Sequence, residues 1–249
     1  MWRALKWLVM AAVLAAISVF AWQYVQALRK PHPVPVTAAV EPTALTPPPT
    51  WHAPAGVQAQ QRGIATVYGG CSPPAGKSLG SEPLQTPVPR GMQSFVHNNH
   101  RLKPLYGFSV DATVMSSKHY STDREAKLAP VDLALAWGRM RDDAIIKALN
   151  VTQDQRWYRW RWFGKEPLPT AEIINSSANM HMIPSNDAVR AALEGIQAGD
   201  DVRIDGWLIE ARGSDGWNWR SSTQRGDTGQ GGCEVIYVCA VTPVPRKPQ

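Results

Sequence analysis

The stretch GDDVRIDGWLIEA, residues 199–211, decides the fold. It reads as a strand entered from a Gly-Asp turn. The glycine inside it, Gly206, lacks a Cβ and so permits the tight bend that strands of small barrels need. Downstream, GWNWRSS and CEVIYVCAV read as further strands, separated by Gly-rich turns. Upstream, SNDAVRAALEGIQAGD is the clearest helix of the chain. Ser185 or Asn186 can cap it, Asp187 suits its first turn, and Gly199 can end it.

Earlier still, INSSANMHMIPSN (Ile174–Asn186) reads as a strand running into that capped helix. Period two puts Asn175, Ser177, Asn179, His181 and Ile183 on one face. Ile174, Ser176, Ala178, Met180 and Met182 share the other, which suits a core. FSVDATVMS alternates as a half-buried strand, with Phe108, Val110, Ala112 and Val114 on one side. VDLALAW reads as a strand or a short helix. RWYRWRWF is strand-like, and DDAIIKALN reads as a helix of two to three turns started by Asp142 and Asp143. The pattern predicts an α+β domain, a curled antiparallel sheet with two inserted helices. An OB-like small barrel is one form it could take. No internal repeat is evident.

The ends differ from the middle. The net charge is +6, and the first 30 residues carry Arg3, Lys6, Arg29 and Lys30 with no acid; removing that +4 leaves +2 on the rest. The basic balance is therefore a poor argument for a polyanionic partner. WLVMAAVLAAISVFAWQY, Trp7 to Tyr24, is an uncharged run close to the ~20 residues that cross a bilayer. Aromatic and basic flanks suit a transmembrane anchor, with a cleaved signal peptide as the competing reading. From Pro31 to Gln93 the chain holds 13 of its 21 prolines, which favour an extended tether. The expected domains are thus an anchor over 1–30, a Pro-rich linker over 31–93 and the α+β domain over 94–249. The tether includes GCSPPAGKS, whose spacing and two prolines are wrong for a phosphate loop.

Candidate chemistry is sparse. Ser177 and His181 would lie about 13 Å apart along a strand at ~3.3 Å per residue, too far to act as a nucleophile–base pair. His181 with a carboxylate such as Glu125 or Asp132 is the hydrolytic alternative, Asp123 being a further choice. Arg124, Asn179 and the aromatic–basic run with Trp157, Arg159 and Arg161 are the candidate binding residues. Stacking and charge in that run would suit a single nucleic-acid strand, though an aromatic core face with a basic outer face is the plainer expectation. No histidine spacing marks a metal site, and no cofactor is expected. Of Cys71, Cys233 and Cys239, the last two lie about 20 Å apart on one strand face and cannot bridge. Cys71 could pair with either, against a plainer reading of two buried thiols and one exposed.

From about Leu105 to Val241 the chain resembles a group of uncharacterised membrane-anchored bacterial proteins. HYSTDREAKLAPVDLALAWGRM, RWYRWRW, SSANMHMIPSNDAV, GDDVRIDGWLIEARGSDGWNWRSS and RGDTGQGGCEVIYV carry the resemblance. It implies an envelope protein with an amino-terminal anchor, a variable linker and one carboxy-terminal domain, and brings no activity with it. The expectation is a single-pass inner-membrane protein, held through residues 7–24, with its domain in the periplasm. That domain would bind an envelope protein partner rather than catalyse; single-strand nucleic-acid binding is the less favoured alternative.

Overall fold

The computed structural model describes residues 66–69, 71–72, 82–227, 229 and 231–244. The expected anchor over 1–30 lies outside them; among the described residues no helix is long and apolar enough to cross a membrane.

The strands are β1 (Val67–Tyr68), β2 (Leu84–Thr86), β3 (Phe95–His97), β4 (His100–His119), β5 (Val131–Ala136), β6 (Thr152–Asp154), β7 (Trp157–Arg159), β8 (Ser177–Pro184), β9 (Asp201–Arg212), β10 (Asn218–Arg220) and β11 (Glu234–Pro243). The α-helices are α1 (Asp143–Ala148), α2 (Thr170–Asn175) and α3 (Asp187–Glu194). The domain is mostly sheet. Its main ladder runs β11-β8-β5-β4-β9, and β11 pairs β9 as well, so the curled sheet meets itself.

The sheet is mixed rather than wholly antiparallel, because β8 and β11 run parallel. Topology requires this. Five strands in one closed circuit cannot all alternate in direction, so at least one pair must run the same way. Gly206 sits where the circuit tightens, paired with both Phe108 of β4 and Val238 of β11. A Cβ there would stand 2.3 Å from the Tyr237 carbonyl oxygen. Only a glycine lets the two backbones come this close.

Inside the curl lie Phe108, Val110, Ala112 and Val114 of β4 with Leu133, Leu135, Met180, Met182, Ile204, Leu208, Ile236 and Val238. The alternation read in FSVDATVMS and in ANMHMI is the reason these side chains turn inwards together. Helix α3 covers one opening with Val189 and Leu193, and its side-chain cap is Asn186, which accepts from Val189 N–H at 2.9 Å. It ends at Gly195, one turn before the expected Gly199, whose φ of +95° instead shapes the turn into β9.

Two smaller apolar clusters cover the outside, so β5 and nearly all of β8 are buried on both faces. Among the described residues the expectation of two helices becomes three. Thr170–Asn175 is helical, and the strand opens only at Ser177, because Ile173 is needed in the outer cluster under Met140 and Leu168. In RWYRWRWF only Trp157–Arg159 is strand, and α1 is a shorter helix than expected.

Ordered contacts reach back into the Pro-rich stretch. β1 pairs with the end of β11, Gly69 N–H donates to Cys239 O at 2.6 Å, and β2 pairs with β4. This brings the Cα atoms of Cys71 and Cys239 to 5.2 Å, and the two form a disulfide. The plainer reading of three thiols is thereby replaced; Cys233 alone is free.

Candidate functional site

The outer face of β5 and β8 carries a polar cluster amid apolar surroundings. Asp132 and His181 are direct partners across the ladder, and Ala134 faces Asn179 one step on. The β6–β7 hairpin lies over this face. Its turn residues Gln155 and Arg156 have φ of +50° and +68°, a left-handed conformation that non-glycine residues adopt at a cost. The turn aims the Arg156 side chain into the cluster.

Arg156 holds the site together. Its Nε and Nη2 donate to the two Asp123 oxygens at 2.9 and 2.6 Å. Nη1 donates to Asp132 Oδ1 at 2.7 Å and to the Ala129 carbonyl at 2.8 Å. The guanidinium lies 3.8 Å over the Tyr120 ring, and the Arg156 backbone N–H donates to the Tyr120 hydroxyl at 3.0 Å. Burial works against the charge, but the hydrogen bonds to Asp123 and the charges of Asp132 and Asp123 outweigh it and hold the guanidinium above its ordinary range. Burial likewise pushes the Tyr120 hydroxyl up.

Asp132 faces three side chains. Its Oδ1 takes Arg156 and lies 2.9 Å from His181 Nδ1, an ion-pair distance without the in-line geometry of a hydrogen bond. Its Oδ2 accepts from Asn179 Nδ2 at 3.3 Å. Asn179 Nδ2 also donates to the Arg156 carbonyl at 3.0 Å. Cys233 borders the cluster through Asn179. Burial first, then the charges of Glu234 and Asp132, push its thiol up to about 12, so it stands protonated and is a poor nucleophile.

An aromatic ledge closes the face. The Trp219 ring centre lies 4.7 Å from that of His181, Trp217 lies 5.9 Å from Trp219, and His100 lies 5.4 Å from Trp217. The Arg124 guanidinium sits 5.2 Å over Trp217 and pairs with Asp215. These two charged side chains are 49% and 59% exposed, so the ledge has a wet edge.

Of the residues expected from sequence, Asp132, His181 and Asn179 meet in the buried cluster and Arg124 stands on the rim. Glu125 opens a 3-10 turn, Glu125–Lys127, and lends its backbone carbonyl to Leu128 and Ala129 rather than its carboxylate to the cluster. Trp157 is half-buried on the hairpin, with Arg159 and Arg161 exposed beside it. Trp160 and Trp162 stack at 5.7 Å and pack on the outer core, while Arg161 lies 5.5 Å over Phe163. His97 and His100 go separate ways, to the Tyr237 and Trp217 rings. Among the described residues no three His, Cys, Asp or Glu side chains group to hold a metal. Sequence reasoning passed over Arg156 and Tyr120. A Gln-Arg turn has no glycine or asparagine to announce it, and an arginine within an aromatic run looks like its neighbours.

No family model, curated protein or solved structure matches this chain.

Proposed function

We propose that the chain is a membrane-tethered binding module of the bacterial envelope, with an OB-like barrel that takes its partner on the Trp217–Arg124 rim beside the outer face of β5 and β8. The strand circuit supports the barrel reading: β4, β5, β8, β11 and β9 close in that order, with a parallel step at β8–β11 and a helix between β8 and β9. In such barrels the outer face of the second and third strands, with the loops joining first to second and fourth to fifth, takes the ligand. Here that face, on β5 and β8, lies under the β6–β7 hairpin, and the two loops beside it form the open rim. The loops are 120–130, bearing Arg124, and 213–233, bearing Trp217 and Trp219.

The observation that carries binding over hydrolysis is the burial of Asp132 and His181. Arg156 and Asn179 hydrogen-bond one oxygen each, His181 lies beside the first, and Trp219 packs against the histidine. A catalytic carboxylate needs a proton path to substrate, and this one is spent on holding the hairpin. The Trp217–Arg124 rim is by contrast open, amphipathic and stacked, as recognition surfaces are. The Cys71–Cys239 bridge supports an oxidising compartment, in keeping with a domain on the outer side of the inner membrane.

Photo-crosslinking from position 217 in the full-length protein, expressed in bacteria, tests this. A discrete adduct is expected, and it should be lost in Arg124→Ala with unchanged melting temperature. His181→Ala should instead lower the melting temperature. An adduct equally strong from exposed Phe163, or none from 217, would count against this face. So would a hydrolytic activity lost in His181→Gln without loss of stability.

A further inference from the structure

Beyond the curl, β3, β4, β9 and β10 continue as a four-stranded ribbon. Its two faces differ sharply. Phe95, Leu102, Ala211 and Trp219 form one row across it, and they pack inwards on the outer core. The register places Val96, Arg101, Arg212 and Asn218 together on the other face. The next row there is Lys103, Glu210 and Arg220, followed by Tyr106, whose partner Leu208 is already inside the curl.

The open face thus carries four cations against one carboxylate. Glu210 is buried under two of them, Arg212 at 2.5 Å and Arg220 at 2.5 Å. Burial works against its charge, but the hydrogen bonds from Arg212 and Arg220 hold its carboxyl below the usual range. Arg101 and Lys103 are exposed and have no ion-pair partner among the described residues. Val96 and Tyr106, at 38% and 40%, are two of the three exposed large hydrophobic side chains among the described residues.

We infer that this face docks on an anionic bilayer surface. The inference rests on the tethered reading above. Cations interspersed with an aliphatic side chain and a tyrosine are the composition of an interfacial surface, where the ring sits at headgroup level and the charges meet lipid phosphate. A nucleic-acid strand would call for stacking rings beside the cations, and here the ledge tryptophans belong to the opposite face. The reach is sufficient. Residues 31–65 separate the basic flank of the apolar segment from β1, a chain of up to about 100 Å at ~3.1 Å per residue. The basic rows lie about 25 Å from β1 along β9, at ~3.3 Å per residue. Tethering would keep the face at high effective concentration over the membrane. With the basic face down, the Trp217–Trp219 ledge would point away from the lipid.

The test is hydrogen exchange on the full-length protein reconstituted into vesicles. One set is phosphatidylcholine alone and the other includes phosphatidylglycerol. Protection of 100–106 and 208–220 is expected only in the anionic set, and it should fade at high salt. Arg101→Gln and Lys103→Gln should each lower the docked-to-free ratio about five-fold. These two side chains hold no ion pair among the described residues, so the fold should survive. Equal exchange in both sets, with the chain inserted, overturns docking but leaves the anchor standing. A chain that stays in solution over both sets overturns both readings. Protection by a single-stranded oligonucleotide, with none from anionic vesicles, reassigns the face to nucleic acid and overturns the inference.

Discussion

Asp132 Oδ1 and His181 Nδ1 lie 2.9 Å apart across the β5–β8 ladder, and Arg156 Nη1 reaches the same oxygen at 2.7 Å. Both strand residues are buried, and the arginine side chain is 13% exposed. The pair therefore owes its order to a residue from a distant hairpin.

Removing that residue should be costly. Arg156→Leu leaves Asp132 buried with its main countercharge gone, and should lower stability by about 3 kcal/mol. Asp123→Asn, which keeps the Asp132 bond, should cost about 1 kcal/mol. The double change Arg156→Leu with Asp132→Leu should recover part of the first loss. Urea unfolding of these variants and of Asp132→Leu alone measures this; additive losses in the double variant would show that the two groups are not coupled.

The disulfide makes a count. Denatured without reductant, the chain should expose one reactive thiol, Cys233, and after reduction all three. Cys71→Ser should lower stability by about 2–5 kcal/mol. Thiol titration checks the count and calorimetry the loss.

Glu234 predicts a pH dependence. Burial raises its carboxyl from 4.5 to about 7, outweighing the Arg225 guanidinium 2.6 Å away. The folded chain then binds more protons than the unfolded chain between about 4.5 and about 7. Stability should fall as pH rises through this window and level off above it, by about 1.4 kcal/mol for each unit of difference. Glu234→Gln should flatten this part of the melting profile. A wild-type profile that rises over the same range would contradict the assignment.

Gly206→Ala should be the most damaging small change in the sheet. Its methyl group meets the Tyr237 carbonyl, which is backbone and cannot step aside. The β9–β11 ladder must open, at a cost of about 3 kcal/mol or more. Solubility and melting temperature are the readouts. Gly199→Ala meets no such atom, but its φ of +95° makes it a milder, strain-based comparison.

Much of the architecture was readable along the chain. The inward rows of β4 and β8, the cap at Asn186 and the special place of Gly206 follow from spacing of two, from a side chain that can accept a backbone N–H, and from a missing Cβ. Each is a property of a few neighbouring residues, so local chemistry suffices. Asp132, Asn179 and His181 could be named as candidates, and His181 with Asp132 as one of several pairings, but which carboxylate meets the histidine could not be chosen.

What only the tertiary structure decided is long-range. The parallel β8–β11 step arises from closing an odd circuit, and Cys71 finds Cys239 because β1 comes to lie along β11. Arg156 becomes the hub of the cluster through a left-handed turn that no glycine signals. Pairings across tens of residues depend on which surfaces remain to be buried once the sheet has curled, and no stretch of sequence carries that information by itself.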